Sequence, residues 1–597
     1  MDSACWLKTK ITEHEKGVDI TLNIPLKDDG TEYSISDLYD DQQAVVAVVI
    51  KTLHDFMTLD DLTQFKPLRI IVNGQGGSGK SVVINTIVTV MRRMFSCNDV
   101  VRVVAPTGVA AYNVNGETFH HLFRMGVSKR DYSSGSMSKE TRKKLIQKFR
   151  CLLALIIDER SLVSSKVMGT AEHMASETMH GGGFHSEESW GGLPIVVLVG
   201  DDYQLPGIGE GPFTALLSRY GSKMTFIGRQ ALLECWEFVM ELGGSKRVNH
   251  GQDQTKNLLN RLRVGTDIQD GDIAKLLSLH LEEIRSIHGD DVVDDIEKRA
   301  MFLFYKNDKR IRHNMKRLAA ECSSANPVAV VKSRSAGNTT GKSFKSHFES
   351  DIPSASLLCV GAKVAISSRN FQPSWGLHNG ACGTVREIVF GTGKNPNFGD
   401  MPLYVVVEFP LYCGPTWDKS NPKLVPIPTE SFRCSKKCCE RIFCPLTVAY
   451  ARTIHKFQGL TAGPVDPGRT PNMYDVVVCD PDEKSCEGQA LGLLYTAVSR
   501  GTTLGDDNGL NSAVYFQGSS FTADRIRNLT FKTNSNKEFE LSIKRRIWVN
   551  HIINQTKASK PKVDVIIKMK EILLKWAQST SYSYDNLYCR ISKYNRR

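Results

Sequence analysis

Several unbroken runs of apolar, largely β-branched residues mark the chain, and each ends in glycine or polar residues. They are Ile70–Val72, Val103–Ala105, Leu152–Ile157 and Ile195–Val199. Every position is apolar, with no alternation, which predicts burial on both faces and hence strands of a central parallel sheet. Between the runs the apolar period becomes helical. Val45, Val46, Val49 and Ile50 predict a helix before the first run, and Val83, Ile84 and Ile87 predict one after it. Strand and helix in alternation predict an α/β fold.

The strand ends carry the chemistry. The first opens into Gly74-Gln75-Gly76-Gly77-Ser78-Gly79-Lys80-Ser81, a full G-x-x-x-x-G-K-[ST] pattern between a buried strand and a helix. Its glycines free the backbone to turn successive N–H groups into one anion-binding hollow, and the helix dipole adds to it. Lys80 then reaches the β- and γ-phosphates and the Ser81 hydroxyl ligates Mg²⁺. The strand ending in Asp158-Glu159 supplies an acid pair: Asp158 to hold Mg²⁺ through water, Glu159 to orient and deprotonate the attacking water. Gln204, in Gly200-Asp201-Asp202-Tyr203-Gln204-Leu205-Pro206, is placed to touch the γ-phosphate. Ahead of the loop, a glutamine on the first helix would read an adenine edge. Spacing does not separate Gln42 from Gln43, and Gln42 is the residue carried forward. These features predict an ATP and Mg²⁺ site.

Other strand ends suit nucleic acid. Thr107 and Gly108 can offer a hydroxyl and an N–H to a phosphodiester, although a plain strand–helix turn accounts for them equally. Thr118, Phe119, His120 and His121 form a second such cluster, with core packing the competing reading for Phe119.

Composition narrows the class. The chain has 597 residues, enough for three or four domains, and is 41% hydrophobic and 23% charged, as in globular proteins with sizeable cores. No apolar stretch approaches the ~18 residues that span a bilayer, so no membrane partner is expected. The N-terminus has neither an h-region nor a transit-helix composition, so an intracellular location is expected, the nucleus ahead of the mitochondrion. The 15 cysteines read as reduced thiols. Of the net charge of +12, most lies in residues 541–597, with thirteen Lys/Arg against three Asp/Glu. That asymmetry predicts either a nucleic-acid contact or a solvated tail. A helix-like apolar face (Val563, Ile566, Ile567, Leu573, Leu574) should dock on the body, leaving Lys544, Arg545, Arg546, Lys568 and Lys575 for phosphates.

The order of motifs is specific. D-E-x-S at Asp158, then Ser189-Trp190-Gly191-Gly192, then G-D-x-x-Q-L-P at Gly200, resembles the Pif (petite integration frequency) family of DNA helicases, relatives of RecD in superfamily 1B. The resemblance continues through Leu242–Arg247, Phe304–Asn307, Leu377–Val385, Ala449–Thr461 and Gly492–Arg500, and covers roughly residues 36–530. It implies two RecA-like parallel-sheet domains, one over 36–235 with a small insertion about 113–147, the other over 236–365 and 441–530. An SH3-like β-barrel insertion is implied at 366–440, between an N-terminal extension (1–35) and a basic C-terminal extension (531–597). It also implies an ATP-driven motor moving 5′-to-3′ on single-stranded DNA and opening forked duplex, monomeric on DNA, in replication, repair, recombination or telomere maintenance. Arg247 and Arg500 take the places of phosphate-contacting arginines, Gly459 falls at the nucleotide, and Thr107, Gly108, Thr118, His120, Thr453, His455 and Lys456 fall on the DNA strand. A translocase encoded by a mobile element is the alternative, while a nucleotide kinase, a GTPase and an inactive binding module fit the later motifs less well. The chain departs from the family at Arg160 (usually Ile, Val or Cys) and Phe457 (usually Ser). Cys434, Cys438, Cys439 and Cys444 lack the paired C-x₂-C spacing of zinc sites, and ordinary thiols are the preferred reading.

Overall fold

The computed structural model describes residues 3–16, 22–27, 29–125, 137–179, 188–207, 221–233, 236–247, 253–265, 267–337, 352, 354–394, 400–433, 439–464, 472–482, 491–527 and 536–594. The chain divides into two compact units. The larger comprises residues 20–106, 113–300 and 458–597, and the smaller residues 1–19, 107–112 and 301–457.

The larger unit is built on a six-stranded parallel sheet. Its strands are β1 (Leu68–Gly74), β2 (Val101–Ala105), β3 (Glu117–Thr118), β4 (Ala154–Ile157), β5 (Ile195–Gly200) and β6 (Phe238–Leu242). Their order is β3-β2-β4-β5-β1-β6. The unbroken apolar runs are its central strands, and β1, β4 and β5 are buried at every position. The boundary expected at 235/236 falls later, because β6 pairs parallel with β1, Ile70 opposite Phe238 through Gly74 opposite Leu242. Its Phe238, Val239, Met240 and Leu242 are buried, so the edge strand completes the first sheet's core.

The C-terminal extension belongs to this unit's core. The long helix Asn536–Lys568 buries Trp548 and Ile552 with one layer of the sheet's core, and Val563 with the other. The helices Lys570–Ser579 and Tyr584–Tyr594 add Leu573, Ala577, Leu587, Ile591 and Tyr594 to that second layer. The Tyr594 hydroxyl donates to the Gly192 carbonyl at 2.7 Å. Of the expected apolar face, Val563 and Leu573 are buried in that second layer and Ile566 and Leu574 partly so, while Ile567 is exposed. The unit also holds the parallel pair Val477–Asp480 and Val514–Phe516.

The smaller unit pairs Met301–Phe304 with Ala451–Thr453 in parallel, backed by the helix Asn307–Glu321. It also contains a five-stranded antiparallel sheet: Leu424–Pro428, Tyr404–Glu408, Cys382–Val389, Lys363–Ile366 and Leu446–Val448. Lys363–Ile366 and Leu446–Val448 pair with each other, so this sheet reaches beyond the insertion limits of 366 and 440. The N-terminal helix Ser3–Lys16, unreadable from its polar sequence, seats Trp6 and Leu7 in the sheet's core.

Candidate nucleotide and DNA site

The phosphate loop joins β1 to the helix Lys80–Phe95, with Gly77 and Gly79 both at φ +84°. A Cβ on Gly79 would also lie 2.3 Å from the Gln42 amide nitrogen and displace that side chain. That amide donates to the Ser78 carbonyl at 2.9 Å, and Gln42 is buried. Gln43 instead donates to the Leu38 carbonyl at 2.9 Å. Of the two glutamines, Gln42 is therefore the one against the loop.

Three side chains from distant parts of the sequence converge on Gly76. A Cβ at that position would lie 3.1 Å from Arg500 Nη2, 3.4 Å from Arg247 Nη1 and 3.4 Å from Gln204 Nε2. Arg247 Nη1 donates to the Ser499 carbonyl at 2.7 Å, and Arg500 Nη2 to Ser499 Oγ at 3.0 Å. Ser245 Oγ donates to the Gly76 carbonyl at 3.0 Å and the Lys246 N–H to the Gly77 carbonyl at 2.7 Å. Lys80 Nζ donates to the carbonyls of Gly74 and Gln75 at 2.7 and 2.9 Å. Ser81 lies in the first turn of the helix, and Asp158 and Glu159 are buried at the end of β4. Glu159 holds a left-handed φ of +49°, the kind of backbone strain that collects at functional positions. The Gly459 carbonyl accepts from Asn113 Nδ2 at 2.7 Å.

Charge is concentrated here. Burial lowers the Lys80 pKa against the opposing pull of Asp201, Glu159 and Asp158. Burial, then the charge of Glu159, pushes Asp158 up to about 7. Burial, then repulsion from Arg500, brings Arg247 down to about 9. A buried carboxyl whose pKa is raised, at Asp158, and buried guanidiniums that repel each other suit a site built for a divalent cation and a polyanion. Ser81 and Asp158 fit Mg²⁺ on this ground. Three further residues complete the arrangement without having been singled out from sequence. Tyr495 bridges Gly76 and Asp201, Arg263 Nε donates to Asp201 at 3.3 Å, and Gln458 Nε2 donates to Glu159 Oε2 at 3.3 Å. Tyr495 and Gln458 stand inside the quoted motifs, which was the only sequence signal for them.

The DNA candidates are spread over both units. Thr118 and His120 lie in the larger unit, and Thr107, Gly108, Thr453, His455 and Lys456 in the smaller. All three threonines cap helix starts: their hydroxyl oxygens accept from the N–H three residues on, at Ala110 (3.2 Å), His121 (3.3 Å) and Lys456 (3.4 Å). Each keeps its hydroxyl hydrogen as a donor. A Cβ on Gly108 would meet Asn370 Oδ1 at 3.0 Å. Burial lowers the pKa of His120, and brings His455 down to about 4, so both imidazoles are neutral near pH 7. The Tyr305 and His455 rings lie 5.8 Å apart, and Lys456 is exposed. Phe457 is fully buried, so this departure from the family pattern is a core residue.

Cys434 and Cys438, and the side chain of Cys439, lie outside the described residues. Cys444 is buried in the smaller unit's apolar core, its thiol pushed up to about 12. Among the described residues no group of three His, Cys, Asp or Glu side chains is placed to hold a metal ion, and no helix is long and apolar enough to cross a membrane.

A parallel sheet with a phosphate loop on its first strand, an acid pair two strands away and two arginines over the loop defines a phosphate-loop nucleotide-binding protein. Residues 38–271 match the family described as PIF1-like helicase. It is 26% identical over 445 residues to the ATP-dependent DNA helicase Pif1 of Bdellovibrio bacteriovorus, covering 72% of this chain and 81% of that protein. The segments shared with the Saccharomyces cerevisiae helicases RRM3 and PIF1 span 19% and 21% of those proteins. Among solved structures, Pif1 helicase from Candida albicans is similar with a TM-score of 0.57 at 22% identity, over 84% of this chain and 98% of that one. Bacteroides Pif1 in complex with ADP-AlF3 and single-stranded DNA is similar with a TM-score of 0.55 at 19% identity, over 85% and 97%. The fold is accordingly the α/β architecture with two RecA-like domains.

Proposed function

We propose that the protein is an ATP-driven DNA helicase that travels 5′-to-3′ on single-stranded DNA and separates the duplex ahead of it, serving DNA replication, repair, recombination or telomere maintenance. The observation that carries this reading is the convergence of Arg247, Arg500 and Gln204 on Gly76, together with the placement of Lys80, Asp158 and Glu159 in the same unit. Lys80 would neutralise the transferred phosphoryl group, and Glu159, oriented by Gln458, would take the proton of the attacking water. Arg247 and Arg500 would stabilise charge spreading over the γ-phosphoryl oxygens, an effect worth about 10³–10⁵ in rate for an arginine finger. Ser81 and Asp158 would hold Mg²⁺, which supplies charge neutralisation between the phosphates. Gln42 would read the adenine, its amide already braced on the loop. The capping threonines and Lys456 would meet phosphates, which carry no sequence information, so little sequence preference is expected. The similar Bacteroides helicase binds ADP-AlF3 and single-stranded DNA, the same two ligand classes.

ATP hydrolysis measured with and without single-stranded DNA tests the reading. DNA should accelerate turnover, and Lys80→Ala should abolish it. Substantial turnover in Lys80→Ala, or a rate indifferent to DNA, contradicts the assignment.

A further inference from the structure

The C-terminal helix does more than cover the sheet. Two of its side chains three residues apart, Arg545 and Trp548, reach the polar ends of β4 and β5. The Arg545 guanidinium donates to the Tyr203 carbonyl and lies 5.4 Å from the centre of the Tyr203 ring, which Arg263 also approaches, at 4.5 Å. Gly492, at φ +86°, gives room for this contact, since a Cβ there would lie 2.1 Å from the Tyr203 oxygen and 3.2 Å from Arg545 Nη2. The Gln204 N–H donates to the Asp201 carbonyl at 3.2 Å. The peptide between Tyr203 and Gln204 is thus held at both ends, its oxygen by Arg545 and its nitrogen by Asp201. Fixing that plane fixes the direction in which Gln204 leaves the backbone, toward Gly76.

Trp548 grips the neighbouring turn. Arg160, directly after Glu159, is fully buried, pairs with Asp202 and lies 5.8 Å from the centre of the Trp548 ring. Among the described residues its Nε and Nη1 have no hydrogen-bond partner, so beyond the Asp202 carboxylate the indole is the neighbour left to favour the buried cation. Gly200 admits this arrangement, as a Cβ there would lie 2.7 Å from Arg160 Cγ. An arginine where the family has a small apolar residue therefore has a structural counterpart in the extension.

We propose that the C-terminal helix is a positioning element for ATP hydrolysis, with Arg545 orienting Gln204 through the Tyr203 carbonyl and Trp548 seating the Arg160–Asp202 pair that joins the acid-pair turn to the Gln204 turn. The proposal rests on Gln204 contacting the γ-phosphate as set out above. It removes Arg545 from the residues expected to meet DNA phosphates.

The test uses the full chain and steady-state ATP hydrolysis at saturating single-stranded DNA. Arg545→Met keeps the stem and loses the donor, and it should lower kcat about tenfold with KM for ATP within about twofold. Arg545→Lys, which can still donate to the carbonyl, should recover most of the rate. Trp548→Leu should also lower kcat with KM held. Gln204→Ala should be slow by itself, and Gln204→Ala/Arg545→Met no slower than Gln204→Ala, because both changes disable one device. A folded Arg545→Met with wild-type kcat beside a slow Gln204→Ala overturns this proposal alone, as does a double variant whose losses multiply. A Gln204→Ala with wild-type kcat overturns the role of Gln204 itself, and this proposal with it.

Discussion

The Tyr495 hydroxyl donates to the Asp201 carboxylate at 2.8 Å and accepts from the Gly76 N–H at 3.2 Å. One phenol thus ties the helix Leu493–Val498 to the end of β5 and to the crown of the phosphate loop. Burial pushes its pKa far up, so it stays a neutral donor. Tyr495→Phe strips Asp201 of a buried hydrogen bond and should cost about 1–3 kcal/mol of stability. Calorimetric melting measures this; an unchanged Tm contradicts the bridge.

Glu159→Gln keeps the shape of the acid pair and its neighbour Gln458 but removes the base. The variant should bind ATP and DNA with near wild-type affinity and hydrolyse ATP at least about a hundredfold more slowly. Equilibrium binding beside single-turnover hydrolysis separates the two, and a wild-type rate would place the base elsewhere.

Asp158, its pKa pushed up to about 7 by burial and by Glu159, must lose its proton to hold a divalent cation. The raised pKa means the proton is retained below pH 7 and released above it, so Mg²⁺ binding should weaken as pH falls. The half-saturating Mg²⁺ concentration for ATP hydrolysis should rise about fivefold from pH 7 to pH 6. Asp158→Asn should need more Mg²⁺ at every pH and lose this dependence. A requirement flat with pH in the wild type contradicts the assignment.

Deleting residues 541–597 would strip Trp548 and Ile552 from one core layer and Leu573, Leu587, Ile591 and Tyr594 from the other. Removing a single large buried apolar side chain costs about 2–5 kcal/mol. The truncated chain should therefore fail to fold, read by circular dichroism and by solubility. A soluble, cooperatively melting truncation would show the extension to be an appendage. Lys568 and Lys575 remain exposed. If each neutralises one phosphate, its alanine variant should flatten the salt dependence of single-strand binding by about 0.7.

What could be read from the sequence was what is local. Gly74–Ser81 shapes its turn through its own backbone, and the unbroken apolar runs are buried strands whatever their partners, so the places of the loop, the acid pair and Gln204 in the fold were legible. Motif order added Arg247 and Arg500. Tyr495, Gln458 and Arg263 were missed because each acts across hundreds or tens of residues, a separation that no period records. β6 was given to the wrong domain because a strand's pattern does not name the sheet it joins. The contact of Arg545 with the Tyr203 carbonyl was unreadable for a related reason: a basic count gives the charge of a segment and not what each side chain faces. The same holds for Arg160, a departure that has meaning only beside Trp548.

The central claim is directional, ATP-driven unwinding, and strand displacement on matched duplexes carrying either a 5′ or a 3′ single-stranded tail tests it most directly. The account predicts ATP-dependent displacement of the 5′-tailed duplex, little of the 3′-tailed one, and none of either with Lys80→Ala. Displacement that prefers the 3′ tail, or that proceeds without ATP, would contradict it.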